Sequence, residues 1–220
     1  MTKVTGIRQG FIRAVWAWPA LIMITGGILQ VVIPYDLRQF GLIPGDWQKV
    51  LGIWISAGLH KDAIHFFSNL FPCIMFSWVM FRLIPNAYHW IQGVLWTFSG
   101  LMLFLLGRPE HIHIGASIWI YGMAGMIIVG GLASGNFRLG ALGIGLSAVF
   151  SGLIVGLDPR AISVSWEGHL YGLMAGAILG VILRHQLLKP FVNKIEEEEE
   201  NEGEVKWEER TIKIPEENIN

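Results

Sequence analysis

The chain has one cysteine, Cys73, among 220 residues, so no intrachain disulfide and no thiolate cluster can form. Cys73 sits in an apolar run and is read as a small packing residue. Charge is scarce as well: Asp, Glu, Lys and Arg together make up 15% of the residues, against 53% that are hydrophobic. Soluble domains carry about 25% charged residues, so an ordinary soluble fold is excluded in favour of a multi-span helical membrane protein. Acidic residues are rarest in the apolar body. Residues 1–194 hold 13 Lys+Arg and 6 Asp+Glu, a net of +7. Residues 195–220 hold 3 Lys+Arg and 11 Glu, a net of −8, and the two sum to the overall −1. Basic patches interleaved with aromatics are missing, so no nucleic-acid partner is expected; the ten Trp lie mostly near segment ends (Trp16, Trp18, Trp47, Trp90, Trp166), as in an aromatic belt. No small-residue cleavage site follows Lys3, Arg8, Arg13 and the apolar run at 16–33, which is therefore expected to stay as a first helix.

Six apolar segments are present, at about 12–34, 60–81, 88–106, 115–133, 137–157 and 165–187. Each approaches the ~20 residues that cross about 30 Å of hydrocarbon as a helix. The expected fold is an all-α integral membrane bundle of six transmembrane helices over residues 1–187, with 188–220 as an acidic, disordered cytoplasmic tail. The connector at 34–59, rich in Pro, Gly and Trp, is expected to fold back onto the membrane surface. If the N-terminus is cytoplasmic, inside segments carry Lys3, Arg8, Arg13, Arg82, Arg138, Arg184, Lys189 and Lys194. Outside connectors then carry Arg38, Lys49, Lys61, Arg108 and Arg160, and the excess favours both termini inside.

Three of the segments contain polar groups that hydrocarbon should reject: H-F-F-S-N (65–69), G-A-S-I-W-I-Y (115–121) and W-E-G-H-L-Y-G (166–172). An unpartnered polar side chain there costs several kcal/mol, so such residues mark a site or a wet cavity. Under the expected topology His65, Ser117 and His169 lie at similar depth, in the outer halves of their helices. Serine hydrolysis needs a base within hydrogen-bond reach and donors aimed at the developing oxyanion. Two crossings bring the chain from Ser117 back to His169 on the same side. His65 and Asn69, spaced i, i+4, share one helix face, and Tyr121 stands i+4 from Ser117. Gly168, Gly172 and Gly176 repeat every fourth residue, while Gly122 and Gly125 lie on the fourth segment. Small residues at that spacing let membrane helices approach closely. Glu167 points elsewhere on its helix, which leaves a dyad rather than a triad. His111 and His113, with Glu110, form too sparse a set for a metal and are read as solvent-facing loop residues.

H-K-D-A-I-H-F-F-S-N, H-I-G-A-S with Tyr four residues beyond the Ser, and S-W-E-G-H-L-Y-G-L-M-A-G resemble the motifs of the rhomboid intramembrane serine proteases, in order and spacing, over about residues 12–187. The resemblance implies Ser117 as nucleophile and His169 as general base and acid. It also implies an oxyanion hole from His65, Asn69 and the Ser117 backbone N–H, with Tyr121 stacked on His169. His60 matches a further family histidine, Gly115 opens the G-x-S motif, and Gly172 belongs to the close-packing stripe. No cofactor and no metal are implied; the partners are transmembrane protein substrates and the bilayer itself, and the compact six-span body points to a bacterial inner membrane.

Two positions depart from the family. Ile118 stands where G-x-S-G has its second Gly, and a branched side chain there is expected to push helices apart or crowd the site. The family's Trp-Arg pair in the first outer connector is absent, with Leu51 and Gly52 at the aligned positions and Trp47 as a partial stand-in. Two functions stay open on this evidence: an intramembrane serine endopeptidase, or a pseudoprotease that binds transmembrane segments without cutting them. A small six-helix transporter is disfavoured, because there is no internal repeat and no acid at mid-membrane.

Overall fold

A computed structural model describes residues 16–160 and 165–187. The expectations for residues 1–15 and for the acidic tail at 188–220 lie outside the described residues. Within them, six longer helices follow one another: α1 (Trp18–Val32), α2 (Ala63–Leu83), α3 (Tyr88–Leu106), α4 (Ser117–Ala133), α5 (Phe137–Val149) and α6 (Trp166–Ile182). No strand occurs among the described residues; the one β-type pairing is an isolated antiparallel bridge between Leu42 and His113. The connector between α1 and α2 is built from short helical turns at Leu37–Phe40, Trp47–Lys49, Gly52–Ile55 and Ser56–Gly58. It packs inward, with Leu42 and Ile53 buried and Trp47 edge-on to Phe104 of α3.

Local chemistry sets the helix ends. Asp62 caps α2 by accepting the His65 backbone N–H at 2.7 Å, and Asn136 caps α5 by accepting that of Leu139 at 3.1 Å. Between α4 and α5, Gly135 takes a left-handed φ of +77°, a conformation open to residues without a Cβ.

Two of the six helices, α2 with 21 residues and α3 with 19, are long and apolar enough to cross a membrane by length and composition. The others are shorter than expected. At 1.5 Å per residue, the 17-residue α4 and α6 reach only about 25 Å. The segment at 137–157 is not one helix: α5 stops at Val149, Phe150 leaves helical geometry, and Gly152–Val155 forms a separate short turn. Glycines at 140, 143, 145, 152 and 156 weaken helical preference along this stretch, and the break supplies groups to the site described below.

The central element is α4, which packs against α2, α3, α5 and, most extensively, α6. Twelve of its 17 residues are buried, which is why its sequence is apolar on all sides rather than on one stripe. The aromatic belt is only partly realised. Trp90 and Trp47 are exposed, whereas Trp18 turns inward onto Trp96 and Trp119, whose rings lie 4.7 Å apart and nearly parallel. Deep in the bundle, Gln92 accepts a 2.8 Å hydrogen bond from Trp119 Nε1.

Glycine governs the α4–α6 contact. A Cβ on Gly176 would collide with the carbonyl oxygen of Gly122, one on Gly172 with that of Ile118, and one on Gly125 with that of Leu173. Each obstacle is backbone, which cannot rotate away. Gly176→Val should therefore cost roughly 3 kcal/mol or more, or abolish folding. Gly145→Ala, where a Cβ meets nothing within 4 Å, should gain up to about 1 kcal/mol from helix propensity. Thermal unfolding of both variants in detergent checks the contrast.

Candidate active site

α2, α4 and α6 each place a polar residue in the first two turns, and those three helix starts converge. Ser117 is the first residue of α4. Its Oγ–H donates to His169 Nε2 at 2.9 Å. On the other side of the imidazole, Nδ1 lies 2.7 Å from the carbonyl oxygen of Gly156. A carbonyl can only accept, so Nδ1 carries the proton and Nε2 presents its lone pair to the serine. A backbone group thus fixes the tautomer, the task that a carboxylate performs in a triad. Tyr121 lies flat on the His169 ring, with centroids 4.2 Å apart and planes within 13°. Its hydroxyl donates to the Leu153 carbonyl, so the broken segment after α5 holds both rings.

Gly156 was not foreseen from the sequence. A Cβ there would lie 2.7 Å from His169 Nδ1 and would also strike the Tyr121 hydroxyl, so only glycine lets its carbonyl reach the imidazole. No local motif announces it, because the residue acts through its backbone.

Across the cavity, one Asn69 amide proton goes to the His65 carbonyl at 2.8 Å and the second is available, since the nitrogen carries two. His65 receives the Lys61 backbone N–H at Nδ1 over 3.5 Å, which leaves Nε2 as the protonated nitrogen. Gly115, at φ +105°, lies under that ring: a Cβ would sit 2.8 Å from His65 Nε2 and Cε1. The first four amides of a helix have no intrahelical acceptor, so the Ser117 N–H is among the free donors at the head of α4. Three helix N-termini add partial positive charge at the same place. The arrangement can activate a hydroxyl and stabilise an oxyanion.

Ser117, His169, His65, Asn69 and Tyr121 all line one open cavity of about 880 Å³. His60 does not; it lines the adjoining cavity by α1 and meets His65 edge-on at 5.1 Å. The Gln30 side chain brackets the His60 backbone, accepting its N–H at 2.8 Å and donating to its carbonyl at 2.9 Å. Gln30 escaped sequence reading, although a lone amide in an apolar helix is a signal of the kind that flagged the other three segments. Gly172 contributes by admitting the Ile118 carbonyl.

Two expectations are corrected. Ile118 neither separates α4 from α6 nor enters the cavity. Its side chain lies in a cluster with Leu42, Ile53, Leu103 and Phe104, and on the α6 side Gly168 leaves room for it, while the carbonyl of Ile118 meets Gly172. His113 is not solvent-facing: it is 3% exposed, and burial pushes its imidazole down to about 4, so it is neutral at physiological pH. His111 beside it is exposed. Glu167 does point away from the dyad, pairing with Arg108.

The family model described as Rhomboid domain matches residues 47–186. The chain belongs to the rhomboid family. Relatives of this family member include proteins of Mycobacterium tuberculosis and Mycobacterium bovis, each 26% identical over 151 residues, and one of Mycobacterium leprae, 28% identical over 142 residues. All three are described only as uncharacterized proteins. The matched stretch covers 65% of this chain and 63% of the first two relatives, and 60% and 55% for the third. The chain thus spans less than two thirds of the relatives' length. Rhomboid proteins are intramembrane proteases or their pseudoprotease kin, acting within the bilayer on transmembrane partners.

If the Gly156 carbonyl sets the imidazole of a working protease, Gly156→Ala should lower cleavage of a transmembrane reporter by about 100-fold. Thermal stability should fall by no more than about 2 kcal/mol, the ordinary range for one substitution. Parallel activity and unfolding measurements separate the two effects.

Proposed function

We propose that the chain is an intramembrane serine endopeptidase that cuts transmembrane substrates near the outer membrane face with a Ser117–His169 dyad. The observation that carries this reading is the 2.9 Å Ser117–His169 contact with Nδ1 tied to a carbonyl, a geometry that a binding protein has no use for. In the reaction His169 Nε2 takes the Ser117 proton as Oγ attacks the scissile carbonyl. His65, the Asn69 amide and the Ser117 N–H receive the oxyanion, and His169 then returns the proton to the leaving amine. Water, activated by the same imidazole, releases the acyl group. Tyr121 keeps the ring in plane throughout.

The cavity is flanked by exposed apolar residues, Ile64, Phe67 and Phe71 on α2 with Val149 at the end of α5 and Val155 beyond it. That rim suits lateral entry of a hydrophobic segment, and small or helix-breaking residues at the cut are expected because a helical peptide bond is shielded. The wider arrangement is part of the same proposal: six crossings over residues 1–187, the tail at 188–220 and both termini in the cytoplasm of a bacterium, with the site facing outward. The short α4 and α6 fit a site sunk below the surface and reached by water.

The pseudoprotease reading rested on Ile118, whose side chain lies outside the cavity. Cleavage of a transmembrane reporter in liposomes by the parent, Ser117→Ala and Ile118→Gly tests the choice. Ser117→Ala should lose at least about 1,000-fold. Ile118→Gly should gain no activity and should lose about 2 kcal/mol or more of stability from the emptied cluster. Cleavage by the glycine variant alone would mean that Ile118 blocks the site after all, and silence from a folded parent would favour the binder.

A further inference from the structure

One buried imidazole beside the site has no part in that chemistry. His113 is 3% exposed, and its backbone N–H and carbonyl are both engaged by Leu42, at 2.7 and 2.9 Å. Its Nδ1 shares a hydrogen bond with Ser165 Oγ, and both residues line the cavity that holds Ser117 and His169. The two partners are 52 residues apart, as are Ser117 and His169. His113 therefore stands four residues before the serine of the dyad, and Ser165 four before its histidine. Two Ser–His bonds join the same two stretches of chain in succession, with the residue types exchanged.

We propose that His113 is a positioning residue which, through Ser165, fixes the start of α6 against the approach to α4 and so sets the Ser117–His169 distance. The inference rests on the dyad reading above and deepens it. Ser165 immediately precedes α6, and its carbonyl accepts the backbone N–H of His169 at 3.1 Å. A shift of Ser165 thus moves the turn that carries the base. On the other side the Leu42 pairing anchors His113, so its ring acts from a fixed point. Glu167 with Arg108 and the Tyr171 hydroxyl with the Leu106 carbonyl clamp the far end of the connector at 107–116, which carries His113. His113 and Ser165 clamp the end next to Ser117. His113 Nε2 is buried without a partner, so a hydrocarbon ring would fill this space more cheaply. What the imidazole adds is its Nδ1 bond.

The test compares the full chain in detergent with His113→Phe, which keeps a ring and removes both nitrogens, with Ser165→Ala, with the double variant, and with His113→Asn, which returns a polar atom near Nδ1. The readouts are the rate of fluorophosphonate labelling at Ser117 and the imidazole ¹⁵N resonances of His169. His113→Phe and Ser165→Ala should each slow labelling about tenfold or more, since a misplacement of a full ångström costs about a hundredfold and a smaller shift correspondingly less. The double variant should be no slower than either single one, because both remove the same bond. His113→Asn should recover to within about threefold of the parent, and the His169 Nε2 resonance should move in both single variants. Parental labelling rates, or additive losses with unmoved resonances, would overturn the proposal. So would failure of both single variants to fold, which would make the pair a scaffold contact. An unlabelled parent whose His169 resonance still moves in His113→Phe would sink the protease reading and leave the positioning role standing.

Discussion

Gly172 and Gly176 present bare backbone to α4, and the carbonyl oxygens of Ile118 and Gly122 fill the space that side chains would occupy. Everything at the site follows from this approach of α6 to α4. Helices kept apart by ordinary side chains sit 8–10 Å axis to axis, and a serine and a histidine on helices separated further could not share a hydrogen bond. In a bilayer the lipid tails are as apolar as the helix faces, so close van der Waals contact between small residues, rather than water exclusion, supplies the attraction. Packing and chemistry are therefore linked: the glycine stripe that lets α6 approach α4 also brings Ser117 and His169 within hydrogen-bond reach.

A second constraint is the placing of polar groups in an apolar body. Most are satisfied by backbone: Gly156 and Leu153 carbonyls hold His169 and Tyr121, and the His65 carbonyl holds Asn69. Carbonyl acceptors do this work without bringing a second charge into a low-dielectric interior, where an unpaired carboxylate would be costly. The break after α5 is what frees the Gly156 carbonyl, since inside a continuous helix it would be taken by an amide four residues on. A Ser–His pair steadied by peptide groups suits this surrounding, and it is the arrangement on which the proposed serine chemistry rests.

Much of this was legible in the chain. Polar residues violating apolar segments singled out Ser117, His169, His65 and Asn69, and i+4 spacing singled out Tyr121, because helical periodicity and the cost of burial are local properties. The structure gathers these five around one cavity. The glycine repeat likewise foretold which helices meet. Gly156 was illegible, since a residue acting through its carbonyl leaves no side-chain signature. His113 was misjudged because loop histidines are exposed by default, whereas tertiary contacts, among them the Leu42 pairing and the Ser165 hydroxyl, enclose this one. Ile118 was misjudged for a related reason: sequence places it beside Ser117, but successive helical residues point about 100° apart. The segment at 88–106 coincides with α3 and that at 60–81 lies within three residues of α2, but the first, fourth, fifth and sixth run past their helices, and the fifth was read through a break that hydropathy does not register.

The most direct measurement is the site of covalent modification by a fluorophosphonate in native membranes, located by peptide mass spectrometry. The account predicts a single adduct, on Ser117, that disappears when His169 is replaced by Ala while the protein remains folded. An adduct on another serine such as Ser165, or labelling of Ser117 that survives the loss of His169, would contradict it.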